Sequence, residues 1–232
     1  MAKTLTEEVY DKLRDDIINL RLKPGEKVSE ERLARRYEVS RAPIRDAVQK
    51  LLQEDLVLVK PQVGTIIMPI SLMRIKDVVE VRMLLEPYAA GVAAERLEDE
   101  DLKALAYNFS TLESGNHSVS HASVILFETD NMLHQTIWRL CGNNEIFNVL
   151  YSYRGLVQRT VLAKVSPDKR VAPRRDEIFA IFKGLQNRNR DAARKAMQVH
   201  VGGILSLIEK LIREENSRLQ ESVGLPSKSS GF

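Results

Sequence analysis

The sequence predicts a mainly α-helical protein: N-terminal helices that end in a small β-hairpin, followed by an all-α antiparallel helical bundle. Three observations predict this fold class. Glycine and proline are scarce, at 11 and 8 of 232 residues, so few turns interrupt the chain. Apolar residues recur at helical spacing through most of the sequence. Segments rich in β-forming residues are confined to residues 56–70.

The composition indicates a protein without a membrane partner. Hydrophobic residues make up 44% of the chain, enough for a core, but no apolar run approaches the roughly 18 residues of a membrane span. The N-terminal stretch "MAKTLTEEVYDKLRDD" is charged too early for a secretory signal peptide. Cys141 is the single cysteine, which excludes an intramolecular disulfide and fits a reducing compartment. We therefore expect a cytoplasmic protein.

The first two helices are predicted from their caps. Thr4 or Thr6 can cap a first helix whose apolar face continues to Leu20, and the turn in "KPGEKV" ends it. Ser29 then begins the short helix "SEERLARRYEV", which carries acidic residues in its first turn, as the helix dipole favours. Residues 38–40 turn the chain into the next helix.

The third helix begins in "VSRAPIRDAVQKLL", which contains a proline between two arginines. Ser40 is a good N-cap, and it places Pro43 in the first turn, where the missing N–H costs nothing. The proline therefore fixes the start of the helix. After it, "LVLVK" and "GTIIMPI" are joined by "PQVG" and predict a two-stranded wing with Gly64 at its tip.

A basic patch lies across the second and third helices. Residues 32–45 oppose a single acidic residue with five arginines: Arg32, Arg35, Arg36, Arg41 and Arg45. Such a patch is the footprint expected of a phosphate-contacting face, although a charge run alone also fits a solvated helix surface. Together with the order of elements, it predicts a winged helix-turn-helix whose third helix enters the DNA major groove. A winged module used for protein contacts is the alternative.

Residues 25–70, "GEKVSEERLARRYEVSRAPIRDAVQKLLQEDLVLVKPQVGTIIMPI", resemble the DNA-binding domain of GntR-type bacterial transcriptional regulators. The similar pattern is "VSR-x-P-x-R-x-A" followed by a wing glycine. The resemblance implies DNA contacts, with Arg35 as a further phosphate contact. The implied DNA-binding residues are Ser40, Arg41, Ala42, Pro43, Arg45 and Gly64.

Beyond Ser71 the pattern is helical throughout. A long helix is expected over 71–97, with Pro87 bending it rather than ending it. Further helices are expected at 99–113, 123–141, 144–163, 173–187 and 189–220, with a polar loop over 113–123. The predicted division is a DNA-binding domain over 1–70, a bundle domain over 71–220 and a disordered tail over 221–232.

The bundle carries few candidate chemical groups. "TDNMLHQTIW" places Asp130 and His134 four residues apart, so that both can reach one ion, although such a pair is more often a surface ion pair. His200 in "MQVHVGG" lies among apolar residues and could equally be a core histidine. The sequence lacks the nucleophile–base arrangement that a hydrolase needs, so we do not expect an enzyme.

The bundle also resembles the FCD ligand-binding domain of the FadR subfamily of GntR regulators, through "VRMLLE", "D-x-x-x-H", "CGNN" and "M-x-x-H". Many such domains bind a divalent metal through one Asp and three His, and an effector carboxylate completes the coordination. The resemblance implies zinc, nickel or manganese at Asp130, His134 and His200. The fourth position is Ile178, which cannot bind a metal.

Two alternatives follow from Ile178. Three ligands can still form an open metal site that water or the effector completes. Otherwise the pocket is metal-free and pairs an acid with Arg82 or another cation, since arginine can bind a carboxylate through two donors. Glu177 replaces the lost ligand only if its helix is rotated. The predicted effector-binding residues are Arg82, Asp130, His134 and His200.

These features predict a transcriptional regulator, a homodimer that binds a pseudo-palindromic double-stranded DNA operator and responds to a small-molecule carboxylate effector. One alternative is a metal-dependent enzyme that acts on a carboxylate and carries an appended DNA-binding domain. Another is a regulator whose pocket is vestigial and whose Ile178 is simply part of the core.

Overall fold

The computed structural model describes residues 3–113, 119–165 and 167–223, and it confirms the mainly α fold class. The elements are α1 (Leu5–Ile18), β1 (Lys27–Val28), α2 (Glu30–Tyr37), α3 (Arg41–Gln53), β2 (Val57–Lys60), β3 (Gly64–Ile67), α4 (Leu72–Arg96), α5 (Asp99–Glu113), α6 (Val119–Cys141), α7 (Asn144–Lys164), α8 (Pro167–Gln186) and α9 (Arg190–Val223).

The N-terminal helices begin at side-chain caps. Thr4 caps α1 in a capping box, accepting from the Glu7 N–H at 3.3 Å while the Glu7 carboxylate accepts from the Thr4 N–H at 2.8 Å. The Ser29 hydroxyl accepts from the Arg32 N–H and caps α2. α1 ends at Ile18, short of the predicted Leu20, which has a positive φ of 60°. The core beneath these helices consists of Val9, Leu13, Ile17, Leu33, Ile44, Val48 and Leu51.

The predicted wing is present, but its sheet has three strands instead of two. β2 and β3 pair antiparallel, with Val57 opposite Ile67 and Lys60 opposite Gly64. β1 pairs with the other edge of β3, so the strand order is β1-β3-β2. β1 lies within "KPGEKV", where the sequence predicted only a turn. A strand of two residues has no periodicity to detect and is defined by its partner.

The bundle helices pack into a second core. α4 runs through Pro87 without interruption, and α9 packs along both α4 and α8. Gly184 lets α8 approach α9 closely, because a Cβ at this position would lie 2.7 Å from the Ala193 backbone. This close packing brings the side chains of α8 next to those of α9. α6 packs against α4 and α8.

Several predicted bounds are wrong. α6 begins at Val119, so residues 119–123 are helical and not part of a loop. α8 begins at Pro167, six residues before its predicted start at 173. α9 extends to Val223, which includes the first three residues of the predicted tail. The remaining predictions for 114–118 and 224–232 lie outside the described residues.

The described chain divides into two compact units. One comprises the residues up to Ser71 together with Tyr151–Val165, and the other begins at Leu72 and includes the rest. The second half of α7 thus belongs to the unit of the winged helix, which a single division after residue 70 did not anticipate. Within that unit the buried Arg159 donates hydrogen bonds to the carbonyls of Met68 and Pro69. None of the described helices is long and apolar enough to cross a membrane.

Candidate functional site

The start of α3 is open to an anion. Ser40 is its N-cap residue, with extended backbone, and its side chain makes no capping hydrogen bond. The first N–H groups of a helix have no partner within the helix, and the helix dipole is positive there. Pro43 is the third residue of α3 and is buried. The structure therefore places Pro43 in the core, and it fixes the helix start without lying on the exposed face.

The predicted arginines lie on the surface around this helix start, and we call Arg35, Arg41 and Arg45 the arginine face. The side chains of Arg41 and Arg45 are 64% and 65% exposed. Arg45 donates to Glu30 at 3.1 and 3.2 Å. Glu31 lies 3.6 Å from Arg41 and 3.8 Å from Arg35. Exposed ion pairs of this kind contribute about 0–1 kcal/mol to stability, so another anion can displace the glutamates at little cost.

The wing supplies the remaining predicted residue. Gly64 begins β3 with a φ of +98°, a left-handed conformation that a side chain would strain. It is exposed, as is Ala42 at the start of α3. The arginine face, Ser40, Ala42 and Gly64 all belong to the same compact unit.

The second set of predicted residues is buried in the bundle, and we call Asp130, His134 and His200 the histidine site. Asp130 and His134 come from α6, and His200 comes from α9. The two histidine Nε2 atoms lie 3.2 Å apart. Asp130 Oδ1 lies 3.6 Å from Nε2 of His134 and 3.3 Å from Nε2 of His200. One ligand atom from each residue thus points to a common centre, and each residue is less than 5% exposed.

Carboxylates hold the outer nitrogens of both histidines. Glu177 Oε2 lies 2.9 Å from Nδ1 of His200, and Glu86 Oε2 lies 3.2 Å from Nδ1 of His134. Arg82 in turn donates to both Glu86 oxygens, at 2.6 and 3.2 Å. A carboxylate near Nδ1 favours the tautomer that carries its proton there, and this tautomer has a free Nε2 lone pair that can bind a metal. Both Nε2 atoms lie on the side of the common centre.

The site is strongly charged. Burial raises the pKa of Asp130, but the positive charges of Arg174 and the neighbouring histidine hold this pKa well below its usual range. Burial likewise opposes ionisation of Glu86, yet Arg82 and His134 lower its pKa to about 2. Burial lowers the pKa of His134, but Glu86 and Asp130 outweigh it and raise this pKa. The carboxylates are thus ionised and attract a cation.

The geometry fits a bound cation. Two Nε2 lone pairs that face each other at 3.2 Å repel, so either a proton on one nitrogen or a cation between the two is needed to offset the repulsion. Asp130 Oδ1 is buried and accepts no hydrogen bond from any described residue, although it faces both nitrogens. Two imidazole nitrogens and one carboxylate oxygen are ligands that suit zinc, nickel and manganese. A proton on His134 is the competing occupant, as its raised pKa indicates.

The structure also places Arg82 and Glu177. Arg82, predicted to bind the effector, is buried against Glu86, whereas the guanidinium at Asp130 is that of Arg174, 3.0 Å from Oδ2. Glu177 contacts Nδ1 of His200 and is not among the residues that face the common centre. Ile178 is fully buried and offers no ligand atom.

Sequence reasoning also missed Glu86 and Arg174, which contact residues of the histidine site. The spacing of Arg82 and Glu86, four residues apart, could have revealed their ion pair. No sequence signal identified Arg174.

A winged helix-turn-helix joined to a helical bundle with a buried histidine site defines a class: a transcriptional regulator with a ligand-binding domain. Residues 5–67 match the family described as "Bacterial regulatory proteins, gntR family", and residues 77–203 match the "FCD domain". The chain belongs to the GntR family of bacterial regulatory proteins and carries an FCD domain.

Named relatives agree with this assignment. The chain is 27% identical over 220 residues to the "HTH-type transcriptional repressor RspR" of Escherichia coli (strain K12), covering 93% of each chain. It is 30% identical over 168 residues to the "HTH-type transcriptional repressor GlaR" of the same strain, covering 66% of this chain and 74% of that one.

Two solved structures share the fold. The structure titled "E. coli McbR/YncC" has a TM-score of 0.76 at 16% identity, covering 91% of this chain and 100% of that one. A putative transcriptional regulator GntR from Rhodococcus sp. RHA1 has a TM-score of 0.73 at 20% identity, covering 88% of this chain and 97% of that one.

Proposed function

We propose that this DNA-binding regulator recognises its operator through the start of α3 and the wing, and that a small carboxylate bound at the histidine site controls its affinity for DNA. The start of α3 carries the proposal. There, a helix N-terminus without a side-chain cap lies beside exposed arginines whose glutamate partners are weakly held.

Each exposed residue has a distinct role in the proposed DNA complex. Arg41 and Arg45 are four residues apart on one face of α3 and suit guanine O6 and N7 in the major groove. The Ser40 hydroxyl and the helix N-terminus suit a phosphate, as does Arg35. Gly64 allows the wing backbone to approach the minor groove. Pro43 acts indirectly, by fixing where α3 begins.

The histidine site supports the effector part of the proposal. Asp130, His134 and His200 would hold one zinc, nickel or manganese ion, and the ion would supply a positive centre that attracts a carboxylate oxygen. Glu86 and Glu177 orient the two imidazoles from outside. Because Ile178 contributes no ligand atom, three protein ligands leave coordination positions for water or the effector.

The proposed active form is a cytoplasmic homodimer on a pseudo-palindromic operator, since two identical winged helix-turn-helix domains match a two-fold symmetric site. The effector changes operator affinity to the extent that it binds the DNA-competent and DNA-incompetent states unequally. RspR and GlaR are named repressors, which supports repression as the action of the DNA-bound form. The names of the relatives support a regulator and give no support to the enzyme alternative.

Operator binding tests the DNA part. Duplexes selected from a random pool provide the probe, and fluorescence anisotropy gives its affinity for the wild-type chain and for Arg41→Ala and Arg45→Ala. Each variant should lose about 1–3 kcal/mol, roughly a 5- to 150-fold weaker affinity, if the arginine contacts a base.

Arg190→Ala is the matched control for that measurement. It also removes one exposed, glutamate-paired arginine, but from α9, outside the unit that contains the arginine face. Undiminished affinity of both α3 variants, or an equal loss in Arg190→Ala, would contradict the assignment. Sedimentation of the protein–DNA complex gives its stoichiometry, and one protomer per operator would refute the homodimer.

A further inference from the structure

Arg174 lies beside the histidine site and has a hydrogen-bond donor that no described residue accepts. Its Nη2 donates to Asp130 Oδ2 at 3.0 Å. Its Nε is buried and has no hydrogen-bond partner among the described residues. A buried donor without an acceptor destabilises the protein, so a ligand that supplies the acceptor is favoured. The side chain as a whole is 21% exposed, so it extends from the buried Nε atom toward the surface.

A second unsatisfied donor lies close by. The indole of Trp138 is 1% exposed, and its Nε1 has no hydrogen-bond partner in the described part of the chain. The Trp138 ring centroid lies 5.6 Å from that of His134, one helical turn earlier on α6. Buried donors thus accompany the ligand atoms of the site, a combination that suits a molecule with acceptor oxygens.

The position of Arg174 on α8 relates it to the missing ligand. Arg174 precedes Ile178 by four residues, so the two side chains share one face of α8. Where the family pattern places an imidazole, this chain has an apolar residue and, one turn earlier, a guanidinium that reaches Asp130. Compared with the family pattern, this face of α8 thus lacks a neutral metal ligand at Ile178 and carries a cation at Arg174.

The cation alters the net charge of the loaded site. Asp130, Glu86 and Glu177 contribute three negative charges, and Arg82 and Arg174 contribute two positive ones. With neutral histidines and one divalent ion, the sum is one positive charge. Without Arg174 the same sum is zero. Arg174 therefore gives the metal-loaded site an excess charge that one carboxylate neutralises.

We propose that Arg174 is the anion-recognition residue of the histidine site. Its Nη2 holds Asp130 so that Oδ1 faces the two Nε2 atoms, and its Nε donates to a carboxylate bound at the open position. The proposal rests on the proposed control by a carboxylate effector and deepens it. It makes the site selective for an anionic acid over a neutral ligand of the same metal.

Titration of the full-length protein with two small probes tests the proposal. The wild type, Arg174→Met and Arg174→Lys are loaded with Co²⁺, and metal content is measured by plasma mass spectrometry. Acetate and imidazole are then titrated by calorimetry at constant ionic strength. Acetate can use both the metal and the guanidinium, whereas neutral imidazole needs only the metal.

The expected result differs between the two probes. Arg174→Met also removes the partner of Asp130, so each protein is compared at a cobalt concentration that saturates it. Under that condition Arg174→Met should bind acetate about tenfold or more weakly, because a charge-assisted hydrogen bond is lost. Its affinity for imidazole should fall much less than its affinity for acetate. Arg174→Lys, which keeps the charge but not the fork of donors, should lie between the two.

Three results separate failure of this proposal from failure of the metal site. Equal acetate affinity in wild type and Arg174→Met overturns the proposal. Joint loss of cobalt and acetate binding in Arg174→Met also overturns it, since Arg174 would then only hold Asp130. Wild-type protein without cobalt would refute the metal ion, and acetate binding that still depends on Arg174 would support the anion-recognition role.

Discussion

Glu177→Gln tests whether the carboxylate at Nδ1 of His200 strengthens metal binding at the histidine site. Glu177 lies 2.9 Å from Nδ1 of His200, and its side chain is 25% exposed. Gln keeps the shape and an acceptor oxygen, so the change removes mainly the negative charge. Loss of an outer partner of a metal-binding histidine typically weakens metal binding 10- to 100-fold. Because an acceptor remains, we expect about a tenfold weaker affinity.

The stabilisation by metal follows from this factor. A metal at about 1,000 times its Kd stabilises the folded state by about 4.1 kcal/mol, and at about 100 times by about 2.7 kcal/mol. A tenfold weaker site thus loses about 1.4 kcal/mol of that stabilisation. For a protein of this size 1 kcal/mol corresponds to about 2–4 °C in Tm. The metal-induced rise in Tm should therefore be about 3–6 °C smaller in Glu177→Gln.

The assay is thermal unfolding by circular dichroism, with and without Zn²⁺ at one fixed concentration. Glu95→Gln is the matched control, since it makes the same change in a glutamate that pairs with Arg190, outside the histidine site. Its metal-induced rise should equal that of the wild type. Equal rises in all three metal-bound proteins would refute the role of Glu177, as would equal reductions in both variants.

Two further predictions concern the stability of the winged-helix unit. Burial raises the pKa of Asp16, but hydrogen bonds from Arg21, Tyr37 and Arg36 lower it overall. The unfolded state therefore binds the proton more readily than the folded state, so Asp16→Asn should destabilise the folded protein at pH 7. This loss of stability, measured by urea titration, should shrink below about pH 4. A loss that grows at low pH would contradict this. Arg159→Met removes buried hydrogen bonds to two carbonyls and should cost roughly 1.5–3 kcal/mol in the same assay, whereas no loss of stability would contradict its structural role.

The parts of the fold that depend on local signals could be predicted from the sequence. Ser29 and Ser40 mark the starts of α2 and α3, and helical periodicity gave the order of the bundle helices. β1 could not be predicted, because it forms through pairing with β3, distant in sequence. α6 and α8 begin earlier than predicted, since polar residues in a first helical turn give no apolar pattern.

At the histidine site, too, contacts within one helix could be predicted and contacts between helices could not. The four-residue spacing of Asp130 and His134 predicted that they share a face of one helix, and the structure confirms that placement. Arg174 was missed because its contact with Asp130 joins two helices, and only their packing brings the pair together. Arg82 was predicted to bind the effector because an arginine in a bundle suits an acid. In the structure Arg82 pairs with Glu86, which lies beside Nδ1 of His134, and its contact with an effector stays a prediction.

Burial determines what each cluster of opposite charges can do. At the arginine face, Arg45 and Glu30 are solvated, so exchanging the glutamate for a phosphate or a base costs little. In the bundle, Arg82 and Glu86 are almost fully buried, and separating them would leave an uncompensated charge at a cost of about 3–5 kcal/mol. The exposed pairs therefore suit exchangeable contacts with DNA, whereas the buried pairs suit fixed positioning of metal ligands. Arg174, partly exposed and bound through one nitrogen, lies between these limits, and that intermediate position suits a residue that holds Asp130 and still receives a ligand.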